Sequence, residues 1–401
     1  MFRRHQNRRS RVKASRLKNK LSNPRLFSRH RFTVERLEDR YMFSTSPWVL
    51  QGPEPALNSP GVVVPPNNTV SGAIQAVAAH PTNPNVLYVG SVNGGVWRTV
   101  DATSASPDWT PLTDSLPSQS IASLSMDPTD STYRTLIAGT GRRSNLIASD
   151  GTLGGDDEVG LYYSINGGAA WMQFNQPILQ DQAFFGVAAR GDVILAGSAT
   201  NGIYRSVDRG ASFTLVSGTS GLPDGGIFDL VADPSNNQRF YATVQGVGIF
   251  RSDNNGATWT DISAGVTGAA TASNLRVAAH GGSTPDVVYV GVVDSNGELD
   301  GIFRSSNKGA AWTAMDVPAV NPDGQVFLNF SLAADPTDPN VVYVGADRIA
   351  ASPNTSTQIS PGRLAQISTT CGSSSQGRKG CSAVSRKMVS GADLRAFAVI
   401  S

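Results

Sequence analysis

Two alternations of apolar and polar positions recur along the chain, and together they predict its architecture. The first appears as IQAVAAHPTNPNVLYVG at 74–90, IFDLVADPSNNQRFYAT at 227–243, LRVAAHGGSTPDVVYVG at 275–291 and LNFSLAADPTDPNVVYVG at 328–345, with a looser copy, IASLSMDPTDSTYRTLIAG, at 121–139. Each places β-branched and apolar runs on either side of a Pro-Asn or Asp-Pro turn, which predicts a hairpin. The second appears without gaps as GLYYSINGGAAW at 160–171, GIYRSVDRGASF at 202–213, GIFRSDNNGATW at 248–259 and GIFRSSNKGAAW at 301–312. GVWRTVDATSASPDW at 95–109 is the same unit with a lengthened turn.

Joined in chain order, one unit reads strand, turn, strand, loop, strand, glycine turn, strand. Four strands per unit is the blade of a β-propeller. The second motif starts at spacings of 65, 42, 46 and 53 residues, which suits blades of about 40 to 50 residues carrying loop insertions. The expected fold is therefore all-β, a propeller of four-stranded blades near 73–112, 121–174, 184–216, 227–262 and 274–316, with an unfinished sixth from 327. The domain reading is a basic arm over 1–45, a linker over 46–70 rich in Pro, Asn and Ser, the propeller over 71–347, and an unpatterned basic tail over 348–401. Both tails are expected to be disordered.

Composition agrees with short strands and tight turns, with Gly 41, Pro 23 and only 16% charged residues. The overall charge of +2 hides a segregation. Residues 1–40 carry 14 Lys or Arg against three acids, whereas residues 41–347 carry 12 against 27. An acidic body argues against a nucleic-acid groove, which needs a clustered basic face. Cysteine is absent before Cys371, so no disulfide or thiolate chemistry is expected of the body. No stretch approaches 18 uninterrupted apolar residues, so no transmembrane segment is predicted.

The second motif follows S-x-[DN]-x-G-x-x-[WF] and resembles the Asp-box of sialidase-like propellers, also called the BNR repeat. Its residues are Ser164, Asn166, Gly168 and Trp171, then Ser206, Asp208, Gly210 and Phe213, then Ser252, Asn254, Gly256 and Trp259, then Ser305, Asn307, Gly309 and Trp312. The Asp or Asn can accept turn N–H groups, the glycine supplies positive φ, and the ring returns to bury itself between sheets. These positions are therefore assigned to structure, and the resemblance implies that the boxes lie on the ring face opposite the ligand.

Candidate ligand contacts fall on the loops of the other face. The longest, at 139–160, holds Arg142, Arg143, Asp156, Asp157 and Glu158, the fifth blade contributes DSNGELD at 294–300, and Arg348 follows the last patterned strand. The acidic group lacks the D-x-D-x-D-G spacing of a calcium loop, so no metal or cofactor is expected. A sialidase resemblance would imply three arginines and an Arg-Ile-Pro motif, and that motif is missing. The segment LYVGSVNGGVWRTVD…WTPLTD at 87–114 resembles the first blade of xyloglucanase-type glycoside hydrolases, which reads YARTDIGGAYR followed by W-x-PL-D. In that family the Asp of TDIGG is the implied catalytic base, and Asn93 stands in its place. Non-enzymatic relatives, including sortilin-type receptors and photosystem assembly factors, bind peptides or proteins. The expected function is thus a non-catalytic binding module for a glycan or protein ligand, the alternative being a xyloglucanase-like or sialidase-like hydrolase or its remnant.

Residues 1–31 contain no apolar run of seven or more, so no standard signal peptide is predicted. FTVERLEDRYMFS at 32–44 is similar to the LEPR-XLL-type N-terminal motif of planctomycete surface and exported proteins, through Glu35, Leu37, Glu38, Asp39, Arg40 and Ser44. That resemblance implies secretion or surface display. The tail 348–401 carries seven Lys or Arg, one acid and both cysteines, and its break with the pattern leads us to expect a truncation or reading-frame shift.

Overall fold

The computed structural model describes residues 73–92, 94–104, 107–142, 157–282, 284–318 and 330–346, together with the backbone of 56–57, 69–70, 363–370 and 382–387. The structure is an all-β propeller, and among the described residues its blades are six four-stranded antiparallel sheets, each built from four consecutive strands. Blade one comprises Ala73–Ala79, Leu87–Val92, Gly95–Thr99 and Thr110–Pro111, and blade two Ile121–Met126, Leu136–Thr140, Leu161–Ser164 and Met172–Gln173. Blade three runs Phe184–Arg190, Val193–Ser198, Gly202–Ser206 and Thr214–Leu215, and blade four Ile227–Ala232, Phe240–Val244, Gly248–Ser252 and Thr260–Asp261. Blade five runs Asn274–Ala279, Val288–Val293, Leu299–Ser305 and Thr313–Met315.

Blade six begins with Ser331–Ala334 and Val341–Ala346, and its outer strands are Arg363–Thr370 and Ser382–Lys387. Those outer strands come from the segment expected to be a patternless tail. Backbone pairing explains this, because the outer edge of Val341–Ala346 offers unpaired N–H and C=O groups that any extended segment can complete. Within the segment read as a linker, Ala56–Leu57 pairs antiparallel with Thr69–Val70. The basic arm, its sorting motif and both cysteines lie outside the described residues.

Five buried layers, one between each successive pair of blades, form the core. Between blades one and two lie Ala76, Tyr88, Val96, Leu124, Leu136 and Tyr162. Between blades three and four lie Leu195, Leu230, Phe240, Ala242, Phe250 and Trp259. A middle strand is covered on both faces, so strands such as Leu136–Thr140 and Phe240–Val244 are buried at every position and read as apolar runs rather than alternations. Outermost strands of blades one to four are two residues long, which keeps the free edges short.

The innermost strands are tied to one another around the ring. Ser123 Oγ donates to the carbonyl of Phe184 at 2.7 Å, Val277 N donates to Asp229 Oδ2 at 3.0 Å, and Arg276 Nε donates to the carbonyl of Phe330 at 3.2 Å. Near the other end Gly191 N donates to Asp127 Oδ2 at 2.8 Å, and His280 Nδ1 donates to the carbonyl of Asp335 at 2.5 Å. Four inner strands carry a bulge at their start, between Ile74/Ala76, Ile121/Ser123, Phe184/Gly186 and Ile227/Asp229. Bulges increase local twist and re-aim a side chain, and here they sit where the loops of one face converge.

Candidate functional site

Antiparallel order divides the connections between two faces. The turns joining first to second and third to fourth strands share one face, called here the box face. The loops joining second to third strands and the links between blades share the opposite, loop face.

On the box face the four ungapped boxes have one geometry. In the third blade Ser206 Oγ donates to Asp208 Oδ1 at 2.7 Å and accepts from Gly210 N at 2.8 Å, while Asp208 Oδ1 accepts from Ser212 N at 2.9 Å. The same bonds link Ser164, Asn166, Gly168 and Ala170, then Ser252, Asn254, Gly256 and Thr258, then Ser305, Asn307, Gly309 and Ala311. An amide oxygen replaces a carboxylate oxygen here without loss of a bond, which is why Asn serves in three boxes. The Ser212 hydroxyl and amide, with Ser206, hold the Asp208 carboxyl down at about 2.

The box glycines have φ of +85°, +86°, +73° and +84° at Gly168, Gly210, Gly256 and Gly309. A second constraint is steric. An added Cβ would come within 2.5 Å of Leu112 at Gly168, 2.8 Å of Leu195 at Gly256 and 2.5 Å of Ile262 at Gly309, each on the preceding blade or its link. Phe213 and Trp259 are 8% and 5% exposed, whereas Trp171 and Trp312 are only half-buried. Trp312 Nε1 donates across the seam to the carbonyl of Ile262 at 2.7 Å, and Phe213 meets Phe174 of blade two edge-on at 5.4 Å.

Sequence reasoning overlooked the arginine that precedes the box serine. Arg205 Nε donates to the carbonyl of Asn255 at 2.7 Å, Arg251 Nη1 to that of Lys308 at 2.7 Å, and Arg98 Nη1 to that of Gly167 at 3.4 Å. Each acceptor belongs to the residue before the box glycine of the next blade, itself left-handed, with φ of +59° at Asn255, +62° at Lys308 and +71° at Gly167. Arg304 faces blade six, which has no box, and donates instead to the carbonyl of Pro339. The signal was the invariance of G-[IV]-[FYW]-R-[ST] among four of the repeats. Between blades four and five Arg239, 6% exposed at its side chain, adds ion pairs to Asp233, Asp253 and Asp286 at 3.2, 2.7 and 2.8 Å.

On the loop face the structure brings together only part of the predicted set. Arg142 Nε lies 3.7 Å from Glu158 Oε1, and Asp157 beside it is exposed. Thr140 anchors the root of that long loop, its Oγ1 accepting from Val159 N and Gly160 N at 3.0 Å each. Asn93, Arg143, Asp156 and Arg348 lie outside the described residues. DSNGELD closes as a hairpin on itself. Asp294 Oδ1 accepts from Asn296 N and Glu298 N at 2.9 Å, and the Glu298 amide foremost holds the Asp294 carboxyl below its ordinary range. Amides tie other loops together, with Asn201 Nδ2 donating to Gln182 Oε1 at 3.0 Å and Gln245 Nε2 to the carbonyl of Ala199 at 3.1 Å. A shallow depression beside the link from blade three to blade four is lined by Leu222, Pro223, Asp224, Val247 and Phe250.

Among the described residues no three His, Cys, Asp or Glu side chains group closely enough to hold a metal ion. No helix among them is long and apolar enough to cross a membrane.

No protein-family model matches the chain. An alignment 195 positions long, which covers 40% of this chain and 18% of the relative, is 27% identical to a xyloglucanase from a Paenibacillus species. The GH74 xyloglucanase from Xanthomonas campestris superposes with a TM-score of 0.52 at 20% identity, over 78% of this chain and 45% of that one. An ancestral GH74 enzyme superposes at 0.50 with 16% identity, over 81% and 38%. The chain thus spans less than half the length of each of these relatives. What the likeness establishes is architecture: the fold is a β-propeller of the type found in GH74 enzymes.

Proposed function

We propose that this chain is an exported, xyloglucanase-type propeller that holds a plant-wall glucan across its loop face, and that Asn93 leaves it a binding unit rather than a hydrolase. The observation that carries this reading is the coincidence of two likenesses. The fold is that of xyloglucanase propellers, and 40% of the chain aligns with a curated xyloglucanase at 27% identity. Rigid blades presenting variable loops on one face are a common way to build a ligand site. The hydrogen-bonded boxes and arginine bridges of the other face serve to hold blades together.

Hydrolysis with inversion needs one carboxylic acid and one carboxylate about 6.5 to 9.5 Å apart across the scissile bond. An amide at 93 cannot take up the proton of an attacking water. Export is supported by the similarity of residues 32–44 to a surface-sorting motif.

The test is affinity electrophoresis of the full chain through gels containing xyloglucan, with reducing-sugar release measured alongside. Retardation without release above the blank is expected. Failure to be retarded refutes glucan binding, and release by the unaltered chain shows that another carboxylate serves as base. Asn93→Asp is the accompanying variant, expected to keep retardation.

A further inference from the structure

Strand register draws one row of side chains straight across each blade on the side toward the preceding blade. In blade four the row is Leu230, Ala242 and Phe250, and in blade five Val277, Val290 and Phe303. All six are buried in the layer shared with the preceding blade, at most 7% exposed. Blade one repeats the row as Val77, Val89, Trp97 and Pro111. Val89 is buried between its two neighbours, but Val77 and Trp97 are only half-buried and Pro111 is exposed. Among the described residues none of the four belongs to any of the five buried layers. Inner strands pack side by side from blade one through blade six, and among the described residues no such packing joins the sixth back to the first. The row beside it adds half-buried Ala79 and Leu87, so this side of blade one is apolar and uncharged.

We infer that this side of blade one joins two copies of the chain, blade one against blade one, about a two-fold axis. Its residues match, position for position, the ones that blade five buries against blade four, so the surface is already shaped for sheet-on-sheet packing. The rival occupant is a further blade of the same repeat, and the polar groups of the seams argue against it. Arg98, Arg205 and Arg251 each end a seam on the carbonyl of a left-handed box residue. The turn of blade one offers no such acceptor. None of its described residues is left-handed, and it closes on itself, with Asp101 Oδ1 accepting from Thr99 Oγ1 at 2.6 Å and from Asp108 N at 3.0 Å. Blade six withholds a donor as well. Tyr88 and Tyr289 donate to carbonyls of the next blade at 3.1 and 2.6 Å, whereas Tyr343 donates to Asp335 Oδ2 of its own blade at 2.6 Å. An isologous contact sets a surface against its own image. Donors and acceptors rarely match themselves, but an apolar row does. Trp97 brings no unpaired donor, because its Nε1 already donates to the carbonyl of Gly94 at 2.6 Å.

A sheet of this size is about 15 to 20 Å on a side, so the pair buries about 1,000 Å² in total, at the low end of specific interfaces. A reversible dimer with a Kd of about 1 to 100 µM is expected. Sedimentation velocity of the full chain from about 1 to 200 µM reads it. Trp97→Arg and Pro111→Arg are each expected to weaken the dimer at least about tenfold. Pro111→Arg, at an exposed position, keeps the test valid if Trp97→Arg does not fold, and its melting temperature should stay within about 2 °C of the unaltered chain. Val207→Arg, at an exposed aliphatic side chain on the box face, should leave the Kd within about twofold. A monomer at every concentration overturns the assignment. So does a dimer indifferent to both Trp97→Arg and Pro111→Arg, or one that Val207→Arg weakens as much as they do. Growth beyond the dimer as concentration rises shows a head-to-tail contact and overturns the two-fold pairing.

Discussion

Replacing Trp259 by alanine tests the proposition that an aromatic ring behind a glycine turn holds two blades together. The ring is 5% exposed, lies among Leu195, Leu222, Leu230, Ala242 and Phe250, and donates from Nε1 to the carbonyl of Gly256 at 3.2 Å. A buried Trp removes on the order of 200 Å² from water, about 5 kcal/mol at 25 cal/mol per Å². Partial collapse of the cavity trims this, and measured losses for such truncations are about 3 to 5 kcal/mol. For a body of this size about 2 °C of melting temperature accompanies each kcal/mol, so a fall of about 6 to 10 °C is expected. Far-UV circular dichroism should follow the melt, because fluorescence would report the missing ring itself. Trp171→Ala, at a half-buried ring whose Nε1 has no hydrogen bond among the described groups, should cost less, about 1 to 3 kcal/mol. A melting point within about 2 °C of the unaltered chain for Trp259→Ala, or the reverse order of the two variants, refutes the latch. So does loss of xyloglucan binding with stability unchanged.

Three further outcomes follow from the geometry. Gly210→Ala meets both a φ of +86° and the ring of Phe174, and should lose about 2 to 5 kcal/mol in urea unfolding. Gly246→Ala, with φ of +70° and open space around the new methyl group, should lose only about 1 to 2 kcal/mol. Arg239→Met strands the buried Asp233 carboxylate and should destabilise by about 3 to 5 kcal/mol, whereas Lys308→Met, at an exposed pair, should cost less than about 1 kcal/mol. Asp208 is held down at about 2 in the folded chain, so its bonds stabilise above the ordinary carboxylate value near 4 and are lost as pH falls from about 4 to about 2. Asp208→Asn should remove that acid-dependent component while keeping the box, a comparison made by unfolding the two proteins across that pH window.

The repeat itself was legible in the chain because a box is a local object. Its serine, acceptor, glycine and turn amides lie within seven residues, so one turn of backbone decides whether Ser206, Asp208 and Gly210 meet. The hairpin before it is equally local. Asp127, Asp233 and Asp335 accept from the N–H two residues on, and His80 Nδ1 takes the same place toward Thr82 N at 3.2 Å. Sequence alone therefore determined the strand order, the four-stranded unit, and the residues that shape each turn.

Tertiary structure decided everything that crosses a seam. Arg205 finds the carbonyl of Asn255 fifty residues away, and Arg276 reaches Phe330 across fifty-four. Periodicity carries no such distance. It also decided that Trp259 is enclosed while Trp171 and Trp312 stay half-open, although the three occupy one motif position. That Arg98, Arg205, Arg251 and Arg304 all bridge seams on one face became visible only once antiparallel order had sorted the loops. A turn is closed by neighbours along the backbone and so is written in spacing, whereas a seam joins surfaces whose partners are chosen by how whole sheets pack.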